Sequence, residues 1–174
     1  MVESPAMSPF FATGIIKGWH DLNVFEIVRH PWFVSAFLAS GLAQLMKFLV
    51  AWWRTGRPDV SVLSDPGGMP SAHSSLVAAL AVAVGLTDGF DSPEAMIAVG
   101  FATITIADAV SIRRAAGEQA ALLNRIVEKL NEKEAFEARR LHEKLGHRRR
   151  EALAGVVFGG LFALLVCGVW DFWK

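Results

Sequence analysis

The chain has 174 residues, 53% of them hydrophobic and 20% charged, with a mean hydropathy of +0.38. That length admits one domain or two very small ones, and the apolar fraction excludes a disordered chain, which requires low hydrophobicity and high net charge. Seventeen basic residues balance seventeen acidic ones, which argues against nucleic acid as a partner captured by bulk positive charge.

The opening MVESPAMSPF has neither the basic cluster nor the apolar run of a secretory leader. Residues 1–31 read as an N-terminal interfacial segment, with Phe11, Ile15 and Trp19 at helical spacing. Four apolar spans follow: about Trp32 to Trp53, about His73 to Leu86, about Pro93 to Ile112, and residues 152–170. The last is nineteen positions without a charge, the length a helix needs to cross a hydrocarbon core of ~30 Å. Trp32, Trp52, Trp53, Trp170 and Trp173 stand at the ends of the first and last spans, where amphipathic rings settle at headgroup depth. The second span is short and is expected to begin below the membrane surface. Ser92-Pro93-Glu94 reads as the N-cap, first helical residue and dipole-favoured acid of the third. Residues 113–150 read as a cytoplasmic helical insertion, because Leu122, Ile126 and Leu130 recur every fourth position and Leu141 and Leu145 follow. Cys167, the single cysteine, lies in an apolar run without a metal-ligating partner nearby and reads as a small core residue. The expected fold class is all-α: a multi-pass helical membrane protein of about four transmembrane helices plus a cytoplasmic helical arm, one domain over residues 1–174.

Loop charge orients it. Segments 54–72 and 113–150 carry thirteen Lys and Arg, whereas the opposite side carries only Lys17, Arg29 and Lys174. The positive-inside rule places the two basic loops in the cytoplasm.

Several polar residues collect at those cytoplasmic ends. Lys47 lies inside an apolar span, where an ammonium costs several kcal/mol unless it snorkels or is paired. Arg54 and Arg57-Pro58 follow it, and then the loop GGMPSAHSS opens the second span. Helix N-termini bind anions through free N–H groups and the macrodipole. Ser71 can cap the helix or bond a phosphoryl oxygen, and His73 can protonate a leaving group. Asp108, Arg113 and Arg114 close the third span, and paired guanidiniums grip phosphate oxygens as well as anchoring helix ends. His147 and Glu151, at i and i+4, are expected on one helical face, the carboxylate holding the imidazole tautomer so that the other nitrogen is a nucleophile. Two histidines, several cations and a helix N-terminus around one point describe phosphoryl transfer in which the chain itself supplies the charge, with no metal or cofactor implied.

These blocks resemble a known family. KFLVAWWR, then PSAH, then an arginine, and later a histidine four before an acid, resemble the signature blocks of the type-2 phosphatidic acid phosphatase superfamily. The strings GGMPSAHSSLVAAL, DAVSIRRAAGEQAALLN and LGHRRREALAG are similar to its divergent branch, related to acid phosphatases and vanadium-dependent haloperoxidases. The resemblance covers roughly residues 40–165. It implies that His147 forms a phosphohistidine with Glu151 orienting it, that His73 protonates the leaving oxygen, and that Lys47, Arg54, Ser71 and Arg113 or Arg114 hold the phosphoryl group. Ala72 replaces the family's glycine and Glu151 its aspartate. Arg139 or Arg140 remains an alternative to Arg113, and His142 an alternative to His147.

The expected function is a metal-independent membrane phosphatase acting on a lipid phosphate or an isoprenoid (di)phosphate, facing the cytoplasm of a bacterial inner membrane. The alternative is an inactive phospholipid-binding or scaffold protein. Membrane lipids are the expected surroundings, and, against the six helices that the resemblance implies, two fewer suggest a homodimer or a reduced substrate groove.

Overall fold

A computed structural model describes residues 24–64, 67–131, 140–143 and 145–172. Phe11, Ile15 and Trp19, together with Arg139, Trp173 and Lys174, lie outside the described residues. The chain divides into two compact units, Met1–His30 and Pro31–Lys174. In the first, the described element is α1, Val24–Arg29. The second contains α2 (Pro31–Thr55), α3 (Ser61–Ser64), α4 (Ala72–Asp88) and α5 (Pro93–Ala107), a π-helical turn (Asp108–Ile112), then α6 (Arg113–Asn131) and α7 (Arg149–Phe172). Among the described residues there is no strand.

Among the described residues, three helical stretches are long and apolar enough to cross a membrane: Pro31–Thr55, Arg149–Trp170, and the continuous Pro93–Leu130, which joins α5, the π turn and α6. The chain is therefore an all-α integral membrane protein. The fourth apolar helix, α4, has 17 residues, about 25 Å at 1.5 Å per residue and so several Å short of the hydrocarbon core. It packs against α2, α5 and α7, and ten of its residues, from Ala72 to Gly85, are buried. A helix enclosed by protein need not match the bilayer, because its neighbours rather than lipid satisfy its surface.

Small residues make that enclosure possible. Ala39, Ala79, Ala83 and Ala163 are wholly buried and meet Cys167 in one cluster, while Val77, Ala81, Val84, Ala95, Ala98 and Ala102 form another. A methyl group added at Gly155 would lie 2.5 Å from the Ser71 carbonyl oxygen, and one at Gly159 would overlap the Ser75 carbonyl. Gly155 and Gly159 thus form a G-x-x-x-G face that brings the backbones of α7 and α4 together, a contact that packing rather than hydrophobic drive must supply in lipid. At the end of α4 away from Ser71, Trp32 Nε1 donates to Thr87 Oγ1 at 2.6 Å, tying the start of α2 to the end of α4. Ser92 caps α5 by accepting from the Ala95 N–H, with Pro93 at its first position and Glu94 in its first turn, the arrangement its sequence predicts.

The insertion differs from expectation. Helix α6 ends at Asn131, and residues 140–143 and 145–148 are not helical. They form a strap against α6, on the face away from the apolar stripe: Leu122, Ile126 and Leu130 are exposed, whereas Gly117, Ala120 and Asn124 are buried. The buried face of α6 is the one narrow enough to admit a peptide backbone.

Candidate active site

The N-termini of α4 and α7 open at the same point. Ser71 caps α4 through its Oγ, which accepts from the Ser74 N–H, and its own N–H donates to the Glu151 carbonyl at 3.2 Å. Two helix N-termini side by side concentrate positive partial charge where an anion can sit. His73, in the first turn of α4, is exposed there.

His147 approaches from the strap. Its N–H donates to the Ala109 carbonyl in the π turn at 2.9 Å. The residue is 6% exposed, and its ring stands edge-on to that of His73, with centroids 6.3 Å apart and planes at 70°. Nδ1 is buried with no hydrogen-bond partner among the described residues. Burial pushes the imidazole below its ordinary pKa. Glu151 opposes that shift, and the positive charge of His73, Lys47 and Arg113 adds to it. A neutral, buried imidazole beside a second imidazole is suited to nucleophilic attack.

Lys47 is 8% exposed. Its stem lies over Gly68, where an added methyl would meet Lys47 Cδ and Cε at 3.0 Å, so the loop glycine makes room for the lysine. Arg113 Nε donates to Asp108 Oδ2 at 2.6 Å, and Arg114 Nε to Glu118 Oε1 at 3.0 Å. Arg114, His147 and Arg148, Arg149 and Arg150 line a cleft of about 920 Å³. Thus Lys47, His73, Arg113 and Glu151 each lie within electrostatic reach of His147, with Ser71 bonded to the Glu151 carbonyl and Arg114 lining the same cleft. Arg54 is exposed in the last turn of α2; like Lys47, Ser71, His73 and Arg113, it is not among the residues that line the cleft.

Glu151 is present but engaged elsewhere. Helix α7 begins at Arg149, so His147 precedes it and the i, i+4 helical face does not form. Glu151 Oε2 instead accepts from the Arg148 N–H at 3.0 Å, the reciprocal half of a capping box. His142, the competing histidine, is exposed on the strap, and Arg140 pairs with Glu128 at 3.2 Å. Sequence reasoning missed Asn124, buried on α6, and the glycines of the strap contact. The available signal was an amide at the same face as Gly117 and Ala120, spaced as one turn after another.

Fold and site together define an integral membrane protein with a histidine pair and cations at one polar end of a helical bundle. Residues 28–162 match the Divergent PAP2 family, and the chain belongs to that family. The match contains every candidate residue from Lys47 to Glu151. The chain is similar to the "Uncharacterized membrane protein YuiD" of Bacillus subtilis (strain 168), 36% identical over 152 residues, covering 81% of this chain and 94% of that protein. No solved structure matches it.

Proposed function

We propose that the protein is a membrane phosphatase that works without a metal on a lipid phosphate or an isoprenoid (di)phosphate, through a phosphohistidine. The observation that carries this reading is the edge-on pair of His73 and buried His147 between two helix N-termini. His147 attacks phosphorus and the bond to the leaving oxygen breaks, while His73 delivers that oxygen its proton. Water then attacks the phosphohistidine, giving a proton to His73, and the P–N bond breaks to release inorganic phosphate. Lys47 and Arg113, with the helix N-termini, offset the charge on the phosphoryl oxygens. A site at the ends of membrane helices suits a substrate with a polar head and a tail that stays in lipid.

The test is phosphate release by detergent-purified protein from a panel of lipid and isoprenoid phosphates with EDTA present, comparing wild type with His147→Ala. Release that resists EDTA and is lost in the variant is expected. Release abolished by EDTA, or retained by His147→Ala, overturns the mechanism. A second reading, an anion-binding protein without turnover, is favoured by the carboxylates already on Arg113 and Arg114 and by the capping role of Glu151. Lipid-phosphate binding without release would select it.

The site faces the cytoplasm of a bacterial inner membrane in this reading, supported by the charge asymmetry of the loops. A side chain added at Gly67 would meet nothing within 4 Å among the described residues. Gly67→Cys, in a Cys167→Ala background, should react with an impermeant thiol probe only from the cytoplasmic side; labelling from outside inverts the topology.

A further inference from the structure

The strap carrying His147 is fastened along one face of α6. Asn124, 6% exposed, donates to the Leu141 carbonyl at 2.9 Å and to Glu143 Oε1 at 2.8 Å, and its Oδ1 accepts from the Leu141 N–H at 2.9 Å. The side-chain amide thus pairs with the Leu141 peptide as a neighbouring strand would, using both donors and its acceptor. About two turns nearer the π turn, Gly117 lets the strap touch the helix: an added methyl would lie 2.6 Å from the Glu143 carbonyl oxygen and 3.0 Å from that of Leu145. Gly146, at φ +80°, presses against the backbone of Arg113 and Arg114, a conformation and a clearance that a side chain would not allow. The last fastening is the His147 N–H on Ala109.

The strap is thus fastened at both ends, the Leu141 peptide to Asn124 and the His147 N–H to Ala109, with the Leu145 N–H turning back on the Glu143 carbonyl at 3.0 Å between them. A slip of one residue in this register moves the strap by about 3 Å, a distance on the scale that misplaces a reacting group.

We propose that Asn124 is a positioning residue for the His147 imidazole, setting the register of the strap from the far end of α6; this rests on the phosphatase reading for its effect on turnover. Its own side chain is remote from the reacting atoms and acts only through the strap.

The experiment uses the full-length protein in detergent and compares wild type with Asn124→Ala by amide hydrogen exchange and by phosphate release. Asn124→Ala is expected to expose the Leu141 amide and, six residues away, the His147 amide. It is expected to lower kcat about 10- to 100-fold, the usual cost of losing a group that orients a reactive residue, with KM within about twofold and protection of α4 and α7 kept. Asn124→Asp serves where the alanine variant does not fold: facing the Glu143 carboxylate it should loosen the strap, and adding Glu143→Gln should restore protection and turnover together. Unchanged exchange at His147, or a loosened strap with full kcat, overturns the proposal. If wild type releases no phosphate the catalytic reading falls, and the exchange at His147 still decides whether Asn124 sets the strap.

Discussion

The membrane bundle and the polar end beneath it are assembled on opposite rules. In the bundle the buried residues are the small ones, Ala39, Ala79, Ala83 and Ala163, while Phe37, Leu38, Ile97, Ile104 and Leu165 point outward. Lipid is as apolar as leucine, so large side chains gain nothing by turning inward, and helices adhere where backbones come close. At the polar end there is water to compete with, and segments are held by directed bonds: Asn124 to Leu141, His147 to Ala109, Ser71 to Glu151. The bundle supplies rigidity through shape, and the polar end supplies chemistry through polar groups that shape alone would not place.

Substitutions at the two histidines break the polar end alone. His147→Ala is expected to reduce turnover by about 10⁴-fold or more and to abolish any phosphoenzyme, as loss of a nucleophile does elsewhere. His73→Ala is expected to cost about 10²- to 10⁴-fold, the range for a positioned proton donor, and to let phosphoenzyme accumulate with poor leaving groups. Rapid quenching with labelled substrate checks both; a phosphoenzyme persisting in His147→Ala would move the nucleophile elsewhere. The bundle should melt little differently in either, since His73 is exposed and His147 lies ahead of α7.

The converse break is at Gly159. A methyl there overlaps the Ser75 carbonyl, whereas one at Gly168 on the same helix meets nothing within 4 Å among the described residues. Gly159→Ala should destabilise by about 1–3 kcal/mol, the cost of overpacking a close contact. Gly168→Ala should be neutral or gain up to about 1 kcal/mol from helix propensity. Reversible unfolding in mixed micelles measures the pair, and equal effects would mean that the α4–α7 approach is not what holds the bundle.

The same two rules explain what the sequence reveals and what it conceals. A charge-free run such as 152–170 and a cap such as Ser92-Pro93-Glu94 are local signals, and both appear where they are read. The meeting of His73 with His147 is legible too, because loop charge sorts distant segments to one side. The strap is not. Its buried face, Gly117, Ala120 and Asn124, has no hydropathy signal, while Leu122, Ile126 and Leu130 supply a strong one on a surface that stays exposed. Reading helix through to Glu151 then put His147 on a face that does not exist and gave its carboxylate to the imidazole, when the helix start claims it.

The smallest expected effect is electrostatic and tests the polar end without dismantling it. Burial holds the His147 pKa below the ordinary value of about 6.5, Glu151 pulls it back, and His73, Lys47 and Arg113 push it further down. The nucleophile is the neutral ring, so the acid limb of kcat/KM should fall below pH 6.5. Removing a cation with Lys47→Met should move that limb up, and removing the opposing charge with Glu151→Gln should move it down. The stability consequence has a definite sign. Folded His147 binds its proton less readily than the unfolded chain, so the native state carries fewer protons between its own pKa and 6.5, and stability falls as the pH drops through that window. His147→Gln should flatten this slope, because it removes the titrating group while keeping a polar side chain at the strap. Denaturation in micelles across pH 5 to 7.5 reads the difference in stability; in the kinetic profile, an acid limb above 6.5 that Lys47→Met leaves in place would show that the limb does not report His147 and that attack begins from another group.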